Sequence, residues 1–357
     1  MAKKQTGLVA TNKFQDTLDK LNKTYGVGSI LALDSKAGGD YDLISTGSIG
    51  FDHITLGIGG FAKGKLYELR GWEGTGKSTI CGHAVAECQK QGGKVLYIDG
   101  EYAVDKNYFQ QLGVDTTKML IAQPTCGEEG FNIAMEMINT GELDLVVIDS
   151  DSSLIPKKML DGEVGDSTIG RKALLNSNAY PKLKGALSEH NVCVIVISQY
   201  REKIGVMFGN PTTTQGGHAL KYYSDVRVEV SRTLAKDGDV TYGNITKLKA
   251  TKNKLSPPYR LSQFEIVYGK GIDKLTEMME LINEFEIGRK YGKTMTIDGV
   301  KYDLDEFKKL VENDQTFYDE LKEKIINKIN ETAVEDIEVM DVEVVLPRMN
   351  ADEAFDL

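Results

Sequence analysis

Residues Gly71-Trp72-Glu73-Gly74-Thr75-Gly76-Lys77-Ser78 spell G-x-x-x-x-G-K-S. Glycine-rich backbone can close its N–H groups around phosphate oxygens. The lysine can reach the β- and γ-phosphates, and the serine hydroxyl can face Mg²⁺. The flanking sequence agrees with this chemistry. Lys65 to Arg70 alternates as a strand, and Thr79 to Cys88 has a helical period with Ile80, Ala84 and Cys88 on one face. A helix starting there turns its unpaired N–H groups and positive dipole end toward the anion. Thr79, the first residue after the motif, joins the nucleotide-binding set.

Ligands of parallel α/β sheets collect at the carboxyl ends of the strands. Three further strands end there in polar residues. Leu143 to Asp149 is an apolar strand apart from Asp144 and ends in a carboxylate, and Asp149 suits an Mg²⁺ ion held through coordinated water. Lys94 to Asp99 leads into Glu101, which could orient and polarise a water attacking a γ-phosphate. Val192 to Ile197 leads to Ser198-Gln199, where an amide can touch the γ-phosphate and report its loss to the chain beyond. That chain, residues 203–218, is long, glycine-bearing and apolar without a regular period, a combination usual in functional loops. Residues 161–170 form a second loop of the same kind. Two such loops beside a nucleotide site imply a ligand gripped in only one nucleotide state.

These residues need a scaffold, and the rest of the chain describes one. Strand and helix patterns alternate through the middle, with a long helix over Ile169 to Leu187 interrupted by Pro181. Val226 to Val230 and Ile245 to Ala250 alternate strictly, as half-exposed antiparallel strands do. The fold class is α/β, a mostly parallel central sheet with helices on both faces and an antiparallel extension. Asn12 to Tyr25 reads as an amphipathic helix with Phe14, Leu18, Leu21 and Tyr25 as its stripe. It must bury that stripe on its own domain or on a neighbouring subunit, and the sequence leaves both open. From Leu275 Glu, Lys and Asp dominate, and Thr294 to Tyr302 reads as a hairpin turning at Asp298-Gly299. The expected divisions are an N-terminal arm over 1–36, a core over 37–274, a small α/β module over 275–332 and a disordered acidic tail over 333–357.

The four cysteines, Cys81, Cys88, Cys126 and Cys193, have no metal-ligand spacing and read as reduced small hydrophobes. With no apolar run of membrane-spanning length and no signal peptide, a cytoplasmic protein without membrane partners is expected. Net charge is −10, which by itself argues against a polyanionic ligand. Its distribution removes the objection. Residues 333–357 hold eight carboxylates against Arg348, a net −7, leaving −3 for residues 1–332. Such a tail could solubilise the chain or screen a basic surface.

The chain resembles the bacterial RecA family of DNA recombinases over nearly all its length. The likeness rests on Ile44-Ser45-Thr46-Gly47-Ser48, the phosphate loop, Tyr97 to Glu101, Gly162 to Ser167, Lys203 to Pro211, Gly216 to Lys221 and Lys252-Asn253-Lys254. It implies a RecA-type ATPase core with an N-terminal oligomerisation arm and a small C-terminal DNA-gathering module. It implies ATP and Mg²⁺ as ligands, and single-stranded DNA, duplex DNA and further copies of the chain as partners in a helical filament. Residue by residue, it makes Glu101 the catalytic glutamate, with Lys77 beside it, and Gln199 the γ-phosphate sensor. Asp105 and Tyr108 would hold the adenine, and Lys252 and Lys254 would reach the ATP of an adjacent subunit. Ile204 becomes a wedge between base triplets, and Gly216, Gly217 and His218 become backbone contacts for DNA. Ile169, Arg171 and Lys172 stand at the first DNA loop; Leu174 and Pro181 occupy the places of the family's usual phosphate-contacting arginines, and Arg171 and Lys172 are expected to substitute. Arg289, Lys290, Lys293 and Lys301 would be the basic residues of the C-terminal module. His218 stands for the usual Asn, Tyr222 for Phe and Trp72 for Pro. A ring helicase motor, a small-molecule kinase and a nucleotide-gated regulator without useful hydrolysis are the alternatives for such a loop.

Overall fold

The computed structural model describes residues 12–25, 30, 41–163, 170–202, 212–214 and 216–342. They fall in two units, Met1–Asp42 and Leu43–Leu357. The first contains the helix Asn12–Tyr25, with the bounds its apolar stripe implies. Asn22 closes its last turn by accepting from the Ile30 amide at 3.1 Å.

The second unit is built on one mixed sheet. In spatial order its main strands are Leu261–Val267, Val240–Asn253, Val226–Asp237, Leu66–Gly71, Cys193–Glu202, Leu145–Asp149, Val95–Asp99 and Met119–Ala122. The last five are mutually parallel, and Leu66–Gly71 also pairs in parallel with Val226–Asp237. Beyond that strand the pairing is antiparallel. The central strands are buried on both faces, which explains their unbroken apolar runs. Alternate residues serve two cores: Val147, Ile195 and Leu69 face one with Phe51, Ile80 and Phe264, while Val146, Ile148 and Val196 face the other with Phe131, Tyr180 and Leu183. Cys81, Cys88 and Cys193 are free and buried, filling space as small hydrophobes. Among the described residues no helix is long and apolar enough to cross a membrane.

Two elements depart from their sequence patterns. The helix Arg171–Glu189 runs unbroken through Pro181. The proline removes one donor, but the carbonyl it leaves belongs to Ser177, on an exposed turn. The last helix, Gln315–Val342, continues ten residues past the point where the tail was expected to begin, and residues 343–357 lie outside those described.

The C-terminal module has the three-stranded sheet Gly288–Tyr291, Thr294–Ile297 and Val300–Asp303. Its tight turn sits at Asp298-Gly299, both with positive φ, as an Asp-Gly hairpin requires. Met278, Ile282, Met295, Phe307 and Ile325 share its core with Ile49 from the main unit. Glu277, at 2% exposure, fastens that junction. Its carboxyl accepts from the Ser48 hydroxyl, from the Gly50 amide at 3.0 Å and from the Ile49 amide at 3.3 Å. Nearby, the buried Asp52 accepts from Ser45 Oγ at 2.6 Å and the Thr46 amide at 2.9 Å.

Burial raises both carboxyls to about 7, against the opposing pull of these hydrogen bonds. Ordinary carboxyls titrate near pH ~4. The folded chain therefore holds protons that the unfolded chain has released, and stability falls as pH rises. The pair's contribution should be full below about pH 4 and lost as pH passes about 7, at no more than about 1.4 kcal/mol per pH unit for each group. Urea melts between pH 5 and 8 should show this decline, and Glu277→Gln should flatten it. A parent profile rising across the window would refute the assignment.

Candidate active site

Parallel pairing places the chemistry along one sheet edge. Gly71 lies opposite Gln199, and Asp99 opposite Asp149. The phosphate loop, Glu101, Asp149 and Gln199 therefore leave the sheet on the same side. Gly71 is required where its strand passes Val230: a Cβ there would lie 2.1 Å from the Val230 carbonyl oxygen.

A cavity of about 270 Å³ opens at this edge. Glu73 to Thr79, Glu101, Tyr108, Asp149 and Gln199 line it, together with Ile197, Asn244, Ile266 and Tyr268. Lys77 Nζ donates to the carbonyls of Trp72 at 2.7 Å and Gly71 at 3.1 Å. Burial lowers its pKa, while Asp149 and Glu101 pull it back up. Asp149 is buried too, and burial raises its pKa against hydrogen bonds from Tyr97 and Ser78. The Tyr97 bond is 2.6 Å long.

Glu101 is the meeting point. Its Oε1 accepts from Gln199 Nε2 at 2.7 Å, Ser150 Oγ at 2.7 Å and Ser153 Oγ at 3.2 Å. Asp99 has a different task. It accepts from the amides of Ala103 and Val104 at 3.2 and 3.3 Å and from Gln123 at 3.0 Å, so it shapes the turn that presents Glu101.

The other expected nucleotide residues divide. Tyr108 lines the cavity, its hydroxyl 2.7 Å from Thr79 Oγ1. Asp105 and Trp72 do not line it. Asp105 caps the helix Lys106–Gln111, accepting from Asn107 and Tyr108 amides at 2.7 and 3.1 Å. Trp72 lies edge-on against Tyr200 with centroids 5.9 Å apart. Sequence reading missed Asn244 and Tyr268. Asn244 Nδ2 donates to the Gly74 carbonyl at 3.3 Å, and its Oδ1 accepts from Arg232 and from the Tyr268 hydroxyl, each at 3.1 Å. Strand alternation was read beside Asn244 but not around Tyr268, and no local signal tied Asn244 to a loop 170 residues earlier.

Lys252 and Lys254 line no part of this cavity. Lys252 Nζ donates to the Lys221 and Tyr222 carbonyls at 2.9 and 3.0 Å, and Lys254 Nζ lies 3.7 Å from Asp225. Of the expected DNA residues, Ile169 and Ile204 lie outside those described. Gly216, Gly217 and His218 are described, and His218 is exposed. Lys172 corrects an expectation: it turns inward, donating to the Leu154 carbonyl at 2.7 Å beside the buried Asp151, because a buried carboxylate needs a cationic or hydrogen-bonding partner. Arg171 is half-buried and donates to the Lys158 carbonyl.

The chain is similar to known proteins. Residues 12–273 match the family model described as the RecA N-terminal domain. The protein named Protein RecA of Cytophaga hutchinsonii is 44% identical over 324 residues, covering 90% of this chain and 91% of that protein. Its namesake in Porphyromonas gingivalis is 41% identical over 310 residues, covering 86% and 91%. That of Bacillus thuringiensis is 44% identical over 276 residues, covering 77% and 80%.

Tyr108 and Tyr268 supply two rings to one cavity, so a nucleotide base there should stack on them. A stacked base is worth about 1–3 kcal/mol. Tyr268→Ala should raise the nucleotide Kd at least about fivefold by titration calorimetry. Tyr268→Phe should keep most of the affinity, because the ring remains and only the bond to Asn244 goes. Equal losses in both variants would assign the effect to the hydroxyl.

Proposed function

Because the chain belongs to the RecA family, we propose that Glu101 directs ATP hydrolysis and that single-stranded DNA, held along residues 161–170 and 203–218, switches it on. The protein is a recombinase that acts in DNA recombination and repair, and an ATPase; its family binds DNA and forms filaments. The observation that carries the finer reading is the 2.7 Å bond from Gln199 to Glu101 beside the phosphate loop. The group suited to orient water and the group suited to sense the γ-phosphate share one contact.

Lys77 would exchange its loop carbonyls for phosphate oxygens and offset their charge. Glu101 would accept a hydrogen bond from the attacking water and hold it in line with the γ-phosphorus. Ser78 and Asp149 offer the oxygen-only donor set that Mg²⁺ takes. When bound, Mg²⁺ supplies charge neutralisation at the phosphates. Burial raises the Asp149 pKa, and the hydrogen bonds from Tyr97 and Ser78 oppose that rise. When a γ-phosphate engages Gln199, the amide must leave Glu101. The strand carrying it continues to Glu202 and pairs with Thr212–Thr214, so the change is passed toward the second loop.

DNA would be gripped by backbone at Gly216 and Gly217, with His218, Arg171 and the expected wedge Ile204, by contacts that ignore base identity. Lys252 and Lys254, outside their own subunit's cavity, suit the ATP of a neighbouring copy. The same reading assigns 1–36 to filament assembly, 37–274 to the ATPase core, 275–332 to duplex gathering and 333–357 to an acidic tail. Duplex DNA would meet Arg289, Lys290, Lys293 and Lys301.

Glu101→Gln tests the carboxylate's role. It removes the charge but keeps the bonding groups for Ser150 and Ser153. Turnover should fall about 100-fold or more, with ATP and single-stranded DNA binding retained. Hydrolysis at the parent rate would discard the assignment.

Action between subunits has its own test. The double variant Lys252→Ala, Lys254→Ala should bind nucleotide but lose DNA-stimulated turnover. Mixed with a Lys77→Ala chain, it should regain part of that turnover at hybrid interfaces. No recovery in filaments proven to be mixed would count against action in trans.

A further inference from the structure

A buried polar cluster lies beside the turn Asp151–Ser153, and none of its side chains lines the nucleotide cavity. At its centre is Asp151, 2% exposed and two residues past Asp149. Asp151 Oδ1 accepts from the Tyr180 hydroxyl at 2.6 Å, and Oδ2 from Asn176 Nδ2 at 3.0 Å. Lys172 Nζ lies 3.5 Å from Oδ1. Asn176 Nδ2 also donates to the Gly216 carbonyl at 3.2 Å.

The amide's orientation is settled by its neighbours. Both are acceptors, so the NH₂ group must face them. Asn176 Oδ1 is consequently buried with no partner among the described residues. An apolar residue of similar size would fill the space without stranding an acceptor. Packing alone therefore does not account for Asn176; the bridge from Asp151 to Gly216 does. Gly216 has φ +90°, and a Cβ there would lie 2.1 Å from Asn176 Nδ2 and 3.0 Å from Asp151 Oδ2. The backbone at Gly216 is thus seated directly on the cluster.

Connectivity gives the cluster its meaning. The short turn Asp151–Ser153 follows Ser150. On one side, Ser150 and Ser153 donate to Glu101. On the other, Asp151 holds Lys172, Asn176 and Tyr180 of the helix Arg171–Glu189, and through Asn176 the Gly216 backbone. In sequence that helix begins just after the first proposed DNA segment, and Gly216 lies at the end of the second. We propose that Asp151 is a positioning residue coupling DNA occupancy to hydrolysis: it ties both DNA segments to the turn that presents Ser150 and Ser153 to Glu101. This rests on the reading of Glu101 and the two segments given above.

Reciprocity of coupling holds for binding and not for turnover, so the two are read separately. If Asp151 also links the two binding sites, an ATP analogue should tighten DNA binding through it. The experiment uses the full-length chain, oligo(dT) and a non-hydrolysable ATP analogue, and compares the parent with Asp151→Asn. The variant keeps the side chain's size but strands the Lys172 charge. ATP affinity and DNA-free turnover should stay within about twofold, while the stimulation by oligo(dT) should fall about tenfold. The factor by which the analogue tightens oligo(dT) binding should fall in parallel. Should Asp151→Asn fail to fold, Asn176→Leu removes the bridge to Gly216 at similar volume and should reduce the same two ratios. A lower melting temperature with both ratios intact means a merely structural role and overturns the proposal. A parent that oligo(dT) does not stimulate would instead overturn the functional reading on which it stands.

Discussion

Parallel hydrogen bonding between the Leu66–Gly71, Cys193–Glu202, Leu145–Asp149 and Val95–Asp99 strands positions everything chemical in this molecule. A parallel sheet sends all its carboxyl ends to one edge, and ligands bind there. Register decides which residues meet. With Gly71 opposite Gln199 and Asp99 opposite Asp149, four segments leave the sheet within hydrogen-bonding reach of one another. A one-residue slip would turn the alternating core contacts of Val146 and Val147 to the wrong faces, so burial fixes the register and the register fixes the site.

Charge at that edge is arranged for a guest that brings more charge. Lys77 is the cation of the phosphate loop, and it faces Asp149 and Glu101. Burial disfavours charge on both Lys77 and Asp149. On the proposed reading, a polyphosphate with its counter-ion would relieve both at once, the phosphate at Lys77 and the cation at Asp149. The outer wall of the loop has a separate support. Asn244 and Thr246 hold the Gly74 and Thr75 carbonyls from behind, which leaves the loop's N–H groups free to face an anion.

Much of this was legible in the sequence because it is local. The phosphate loop is a contiguous motif, the helix Asn12–Tyr25 shows its stripe, and the central strands show unbroken apolar runs ending in Asp149 and Gln199. What was not legible depends on distant partners. Lys172 carries the charge that a DNA phosphate wants, yet Asp151 turns it inward, and nothing near Lys172 in sequence announces that carboxylate. Asp105 also caps the helix it begins, its Oδ1 accepting from both the Asn107 and Tyr108 amides, a local role that the sequence did not announce. Of the long antiparallel pair Val226–Asp237 and Val240–Asn253, only the strictly alternating stretches were read, since a bulge near Thr241 and another between Ala250 and Lys252 break the period.

That second bulge bears on assembly. An extra residue in one strand re-aims the side chains after it. Lys252 follows directly and points to the Lys221 and Tyr222 carbonyls instead of continuing the sheet's alternation. Burial, Lys254 and Arg227 all lower the Lys252 pKa, so its ammonium gains by meeting a new anion. Lys254 is half-exposed, and among the described residues its counter-charge is Asp225 at 3.7 Å. Both lysines therefore carry positive charge that their own subunit compensates weakly, at a place its own phosphate loop does not reach. A neighbouring copy presenting triphosphate there would compensate it well.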